Sequence, residues 1–305
     1  MARRMTRSLI VGAGSIGQRH AAVLAELGHQ IAFMTARGDL EAVVFRSIAA
    51  AIEVFSPDYV IIASATADHA EAVRELAATG YGGILLVEKP VAVAAVDLAS
   101  FERVGVGYNL RFHPVISRMR QLLSSTKVFT VEAYVGQHLS LWRPGRATTD
   151  QYSSFSAAGG GALRDLSHEF DYLGWFLGGI RGLFALGGRV AEVTVDSDDA
   201  WAIVAEYEAA ALVSVQLNYL DSAGRRHIRA NTEAGSYCAD VIAGTVETPQ
   251  GIERFDLQHN ESYRDLHVAM LAGDDTVCTA SEALAVETII AMAERSAEGR
   301  VWVNA

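Results

Sequence analysis

The sequence predicts an α/β chain of two parts, a parallel-sheet domain followed by an α+β domain with a mainly antiparallel sheet. Three observations predict it. Short apolar runs alternate with helical patterns through the first third. A Gly-x-Gly-x-x-Gly loop stands between the first run and the first helix. Past about residue 125 the apolar residues recur at every second position instead.

Residues 8–11 read as a buried strand, and 16–27 as a helix with Ile16, His20, Val23, Leu24 and Leu27 along one side. A strand at 31–34, a strand at 59–63, a helix at 67–79 and a strand at 84–87 follow, a spacing that implies parallel strands joined by right-handed crossovers. Farther on, Phe129, Val131, Ala133 and Val135 alternate with more polar neighbours, as do Ala211, Val213, Val215, Leu217 and Tyr219. Such alternation suits an antiparallel sheet with unlike faces. One helix is expected from about 162 to 177. Another is expected over 281–297, capped by Ser281 and ended by Gly299. The boundary falls near 112–126, dividing the chain into 1–115 and 116–305.

Composition narrows the functional class. The chain has 305 residues, half of them hydrophobic and a fifth charged, enough for two globular domains. A net charge of −11 disfavours nucleic acid and anionic lipid as partners, although local arginines still allow an anionic substrate. Cys238 and Cys278 lie 40 residues apart and outside any CxxC pattern, which points to a reducing, cytoplasmic setting without disulfide framework or zinc cluster. The basic start at Arg3-Arg4 and the apolar Leu9-Ile10-Val11 are interrupted by Gly12 and Gly14 too early for a secretory signal, and no apolar run is long enough to span a bilayer. The nine histidines are scattered. His168 with Asp171 is the one short-range pair, so no metal-ligand set is expected.

The glycine loop is Gly12-Ala13-Gly14-Ser15-Ile16-Gly17. Its strand-before, helix-after context gives it the form of a dinucleotide-binding turn. Gly12 suits the tight turn, Gly14 a close approach by pyrophosphate and Gly17 helix-on-strand packing, while Ser15 and Ile16 open a helix whose first N–H groups face the phosphates. After the second strand come Thr35, Ala36 and Arg37, with no carboxylate before Asp39. An arginine there suits a 2′-phosphate, so NADP is preferred over NAD; the alternative is a solvated surface arginine.

Four further segments carry a specific resemblance. They are Ala63-Ser64-Ala65-Thr66 with His69, then Glu88-Lys89-Pro90, then residues 107–114 (GYNLRFHP), then residues 159–171 (GGGALRDLSHEFD). In this order they resemble the glucose–fructose oxidoreductase/inositol dehydrogenase (Gfo/Idh/MocA) family. With Leu141-Trp142-Arg143-Pro144-Gly145 added, the match is similar to a branch often associated with bacterial surface-sugar biosynthesis. The resemblance implies a Rossmann domain followed by an open, mainly antiparallel sheet through which homodimers or homotetramers form. It also implies hydride transfer between nicotinamide and a sugar, sugar nucleotide or polyol. The family's EKP lysine maps onto Lys89, and its helix-borne Asp and His onto Asp165 and His168. Glycine-loop residues, Thr35, Arg37, Ser64, Ala65, Thr66, His69, Glu88 and Lys89 are then expected at the cofactor. Asn109, Arg111, Trp142, Arg143, Tyr152, Asp165 and His168 are expected at the substrate, with Arg146, His113 and Ser154 nearby. Arg111 has a structural alternative, as does a loop pinned by Trp142.

Two departures from the family accompany this. The Asp–His spacing is three rather than the family's more usual four, so an alignment from Asp165 puts Glu169 at the histidine position, and one from His168 puts Arg164 at the aspartate position. The stretch from Pro90 to Val106 is also short. On the residues alone, His168 suits a general acid/base because imidazole titrates near neutrality. Lys89 suits a donor to the reacting oxygen, and Asp165 a group that orients substrate or favours the imidazolium. Two alternatives stand beside the sugar oxidoreductase. One is a reductase of another substrate, such as a dihydrodiol or linear tetrapyrrole. The other is a non-catalytic NAD(P)-binding regulator, against which the retention of Lys89, Asp165 and His168 argues.

Overall fold

The computed structural model describes residues 5–91, 98–142, 145 and 147–305. The first sheet contains β1 (Arg7–Val11), β2 (Gln30–Met34), β3 (Val43–Phe45), β4 (Tyr59–Ile62), β5 (Ile84–Val87) and β6 (Arg103–Val106). They are all parallel, in the order β3-β2-β1-β4-β5-β6. β1, β4 and β5 are nearly unbroken apolar runs and are buried along almost their whole length, as parallel strands covered on both faces must be. The order reverses between β1 and β4, and ligands bind at the carboxyl ends of strands flanking such a reversal. Helices α1 (Ser15–Glu26), α2 (Ile48–Phe55) and α3 (His69–Ala78) make the crossovers. α1 turns Gly17, His20, Val23 and Leu24 inward, the face its period marks.

The chain forms two compact units that are not contiguous in sequence. Residues 1–112 and 259–284 make the first, and 113–258 with 285–305 the second. The expected division into 1–115 and 116–305 is thus corrected by the return of 259–284. The cause is apolar. Helix α7 (Glu261–Ala272) supplies Leu266, Ala269 and Met270 to a core that also holds Ile10, Leu24, Tyr59, Ile61 and Leu86. A hydrogen bond from the Val106 N–H to the Cys278 carbonyl, 2.9 Å, continues the attachment.

In the second unit, α4 (Pro114–Ser124) stands where the boundary was expected, and no flexible linker is needed. A nine-stranded sheet is built from β7 (Val128–Gly136), β8 (Ile180–Gly188), β9 (Ala200–Tyr207), β10 (Leu212–Asn218), β11 (Arg225–Thr232), β12 (Gly235–Asp240), β13 (Thr245–Thr248), β14 (Gly251–Arg254) and β15 (Val303–Asn304). Its order is β14-β13-β12-β11-β7-β10-β9-β8-β15, antiparallel except between β7 and β10. Val131, Ala133 and Val135 point inward with Val213, Val215, Leu217 and Tyr219. Phe129 does not: it is 46% exposed, because the β7–β11 register slips between Thr130 and Val128 and leaves Phe129 as the extra residue of a bulge.

The expected helix over 162–177 is two helices, α5 (Ala162–Asp165) and α6 (His168–Leu177), separated by Leu166 and Ser167. Helix α8 (Ala280–Gly299) is capped by Thr279 rather than by Ser281. The Glu282 N–H meets the Thr279 hydroxyl at 3.3 Å and the Thr279 N–H meets the Glu282 carboxylate at 2.8 Å, a reciprocal capping box. Among the described residues, no helix is long and apolar enough to cross a membrane.

Candidate active site

The glycine loop joins β1 to α1 at the point where the strand order reverses. Gly12 has φ +103°, and a Cβ on it would lie 2.5 Å from the Ala63 carbonyl oxygen. A Cβ on Gly17 would overlap the Gly12 carbonyl. Gly14 differs, since a Cβ there meets nothing within 4 Å. The protein itself places no demand for glycine at 14, whereas an approaching phosphate does. Helix α1 starts at Ser15-Ile16 with no side-chain cap and no acidic residue in its first turn, so its N–H groups and positive end are open to an anion. Beside them, the buried Ser64 hydroxyl oxygen has no hydrogen-bond partner among the described residues. An uncapped helix start, an open Gly14 and an unsatisfied hydroxyl fit the phosphates of a dinucleotide. Ala65 is exposed and Thr66 half-buried where the chain leaves β4.

At the end of β2, Arg37 is no free surface arginine. Its Nε and Nη2 donate to the two Asp39 oxygens at 2.9 and 2.6 Å, and its Nη1 donates to the Ala13 carbonyl at 2.9 Å. The guanidinium holds the Asp39 carboxyl down at about 2. The Thr35 hydroxyl accepts from the Arg37 N–H at 3.2 Å. A residue the sequence reading missed, Arg46, donates from Nη1 to the carbonyls of Thr35 and Arg37 at 2.9 and 3.1 Å.

Glu88 and Lys89 follow β5, and the Lys89–Pro90 peptide bond is cis. Glu88 is buried and anchors a chain of polar groups inside the first unit. His20 Nε2 lies 2.8 Å from Glu88 Oε1, His20 Nδ1 lies 2.9 Å from His267 Nε2, and His267 Nδ1 lies 3.0 Å from the Tyr59 hydroxyl. Burial holds His267 well below the ordinary imidazole range and pushes the Tyr59 hydroxyl up. The sequence signalled only His20, as a polar residue on the buried side of a helix. Buried His69 sits 3.2 Å from both the Pro90 and Ser64 carbonyls, tying the cis peptide to the end of β4. Half-buried Lys89 stands between these anchors.

Two expected substrate residues turn inward instead. Arg111 is 1% exposed and donates to Glu282 at 3.1 Å, and Asn109 donates to the Ser262 hydroxyl at 2.7 Å. Both fasten the returning segment 259–284 to the first unit, the placement that the structural alternative for Arg111 expects.

In the second unit, Asp165 is buried among hydroxyl donors. Tyr152 meets Oδ1 at 2.9 Å, while Ser153 and Tyr219 both meet Oδ2 at 2.6 Å. The two 2.6 Å lengths belong to strong hydroxyl–carboxylate bonds. Burial first, and Asp165 beside it, push the Tyr219 hydroxyl far up. Trp142 packs edge-to-face on Tyr219 at 5.2 Å, and Tyr152 remains 42% exposed. The Ser154 hydroxyl is spent on the Thr148 carbonyl. Arg143 and Arg146 lie outside the described residues. Ser153 and Tyr219 were missed because only folding brings them to Asp165.

The residues of the competing helix-motif alignments differ in burial and partners. Glu169 is fully buried, with Arg226 Nε and Nη2 at 2.8 and 3.2 Å and the Tyr172 hydroxyl at 3.2 Å. Arg164 pairs with Glu294 at 2.7 Å. His168 is half-buried at the start of α6.

Known proteins share this fold. Residues 6–106 match the oxidoreductase family with NAD-binding Rossmann fold, and residues 116–238 match the GFO/IDH/MocA C-terminal domain. Among solved structures, GenD2 from gentamicin A biosynthesis, in complex with NAD, is 22% identical with a TM-score of 0.79 over 100% of this chain and 97% of its own. The WlbA dehydrogenase from Bordetella pertussis, in complex with NADH and UDP-GlcNAcA, is 18% identical with a TM-score of 0.77 over 100% and 99%. The scyllo-inositol dehydrogenase from Lactobacillus casei, with bound NAD(H) and scyllo-inositol, is 17% identical with a TM-score of 0.76 over 99% and 99%. No curated protein matches the chain. The structural likenesses are likenesses of fold, while the two family matches together span most of the sequence: the chain belongs to the GFO/IDH/MocA family of NAD-binding oxidoreductases.

Proposed function

We propose that this protein moves hydride between a nicotinamide cofactor, NADP in preference to NAD, and the C–OH or C=O carbon of a sugar, sugar nucleotide or related polyol. The observation that carries the reading is the cradle at the strand reversal: open Gly14, the uncapped start of α1 and the unsatisfied Ser64 hydroxyl. When bound, the cofactor supplies the hydride chemistry. The chain's own residues position the reactants and move the proton. Lys89, held between Glu88 and the cis-Pro90 anchored by His69, donates to the reacting oxygen and stabilises its developing charge. His168 takes or returns the proton. Asp165, fixed by three hydroxyls, orients substrate hydroxyls alongside Tyr152 and Trp142. The sugar class is further supported by the ligands of the structural relatives, a nucleotide sugar in one and an inositol in another.

The protein is further proposed to act in a reducing cytoplasm, a setting suited to Cys238 and Cys278, which are not joined in a disulfide. It is proposed to assemble as a homodimer or homotetramer through the open face of the nine-stranded sheet, where Leu186, Val204 and Leu212 are exposed. The test is a titration with NADPH and NADH, followed by a hydride-transfer screen over sugar nucleotides, free sugars and polyols read by nicotinamide absorbance. Cofactor binding with turnover of a member of that panel supports the reading. Binding without turnover anywhere on the panel removes the substrate class.

A further inference from the structure

The parallel pairing of β2 and β3 delivers two arginines to one place. The Thr35 N–H donates to the Phe45 carbonyl at 3.1 Å, so the ends of the two strands lie side by side. Arg46, the residue after β3, therefore reaches the turn that follows β2, where its Nη1 binds the carbonyls of Thr35 and Arg37. Its Nη2 lies 3.7 Å from the position a Cβ on Gly38 would take, directed along the same turn.

The two guanidiniums are not equivalent. Arg37 has given Nε and Nη2 to Asp39 in a two-pronged pair and one N–H of Nη1 to Ala13, so each of its three nitrogens already serves an acceptor and its charge is balanced by Asp39. Arg46 has spent one nitrogen on neutral carbonyls, and its charge has no carboxylate partner among the described residues. A phosphate ester arriving here meets one neutralised fork and one uncompensated cation. Phosphate is best recognised by a guanidinium whose paired donors and charge are still available.

Resting on the NADP reading above, we infer that Arg46, rather than Arg37 alone, determines selectivity for a 2′-phosphate, and that Asp39 opposes it by occupying Arg37. Asp39 thereby sets the balance between the two cofactors. With its carboxylate present, a 2′-phosphate gains Arg46 and competes for Arg37. Without it, both arginines are available.

The experiment titrates the full chain with NADPH and NADH, with 2′,5′-ADP and 5′-AMP as competitors that isolate the 2′-phosphate. Arg46→Ala is expected to weaken NADPH and 2′,5′-ADP about tenfold or more while changing NADH and 5′-AMP less than about twofold, the effect of one charge-assisted pair. Arg46→Gln, which keeps an N–H donor for the Thr35 carbonyl without the charge, is expected to do the same. NADH affinity and the thermal midpoint report whether the turn survives. Asp39→Asn is expected to tighten NADPH several-fold with NADH unchanged. If wild type prefers NADPH but both Arg46 variants leave that preference intact, the inference fails and the NADP reading stands. If wild type binds NADPH no tighter than NADH, both fail. Equal weakening of both nucleotides by Arg46→Gln would also overturn it.

Discussion

His20 and His267, 247 positions apart in sequence, meet ring nitrogen to ring nitrogen at 2.9 Å inside the first unit. With both rings neutral and Glu88 a carboxylate, one proton arrangement satisfies every atom. Tyr59 O–H donates to His267 Nδ1, His267 Nε2–H donates to His20 Nδ1, and His20 Nε2–H donates to Glu88. The chain ends one residue from Lys89, linking the placement of the proposed catalytic ammonium to α7. His267→Leu strands the Tyr59 hydroxyl and a His20 nitrogen, at about 1–3 kcal/mol for each buried group left unsatisfied. Urea unfolding measures this, and an unchanged midpoint would show that the chain contributes nothing.

The same burial sets a pH dependence. His267, His69 and His29 are all held below the ordinary imidazole value, chiefly by desolvation. The unfolded chain therefore binds more protons than the folded one below about pH 6.5. Stability is fully present above that pH and falls as the solution is acidified toward the folded-state values, by up to about 1.4 kcal/mol per pH unit for each histidine. Chemical denaturation at a series of pH values from 7 downward, about one unit apart, reads the slope. A flat profile would mean that these rings titrate alike in both states.

Fully buried Glu169 pairs with half-buried Arg226, so cutting one partner differs from replacing both. Glu169→Gln leaves the Arg226 charge uncompensated and is expected to cost about 3–5 kcal/mol, whereas a Glu169→Leu, Arg226→Met double variant is expected to recover most of that. Equal losses in the single and double variants would assign the effect to packing instead.

The glycine loop separates folding from binding. Gly14→Ala has room for its methyl and should fold with a thermal midpoint near wild type while losing dinucleotide affinity. Gly17→Ala drives a methyl into the Gly12 carbonyl and should lose stability and binding together. If Gly14→Ala binds NADPH and NADH as wild type does, the phosphates do not approach there.

Lys89→Ala should leave both nucleotides bound while turnover drops about a hundredfold or more, the scale of one lost donor at a developing oxyanion. Steady-state kinetics with whichever substrate the screen returns decides it, and unchanged kcat would remove Lys89 from the chemistry.

Much of the first sheet was legible in the residues. β1, β4 and β5 are short apolar runs bounded by glycine or polar residues, and residues 84–87 were read to the residue. β3 was not legible, since three partly exposed residues carry no period. The single-helix reading of 162–177 failed because Leu166 and Ser167 are compatible with a helix, and the break shows only in three dimensions. Site residues near one another in sequence, such as Glu88 and Lys89, could be read from their motif. Asp165 could be named, but its partner Tyr219 sits 54 positions away and was visible only as an inward strand residue. Asn109 and Arg111 could be named from their motif, but their partners Ser262 and Glu282 lie more than 150 positions away and show only in the fold.

The interleaving of the two units has a consequence for the order of events on the ribosome. Leu266, Met270 and Val277 belong to the same apolar cluster as Ile10, Leu24 and Tyr59. The nucleotide-binding half is therefore made first but is among the last to be finished, its side wall missing until residues 259–284 emerge. Through that interval β1, β4 and β5 are translated with part of their covering absent, while the intervening segment, 113–258, can already begin to pair its strands. Nascent-chain proteolysis should find residues 1–112 sensitive until the segment through 284 has cleared the exit tunnel, and resistant after it.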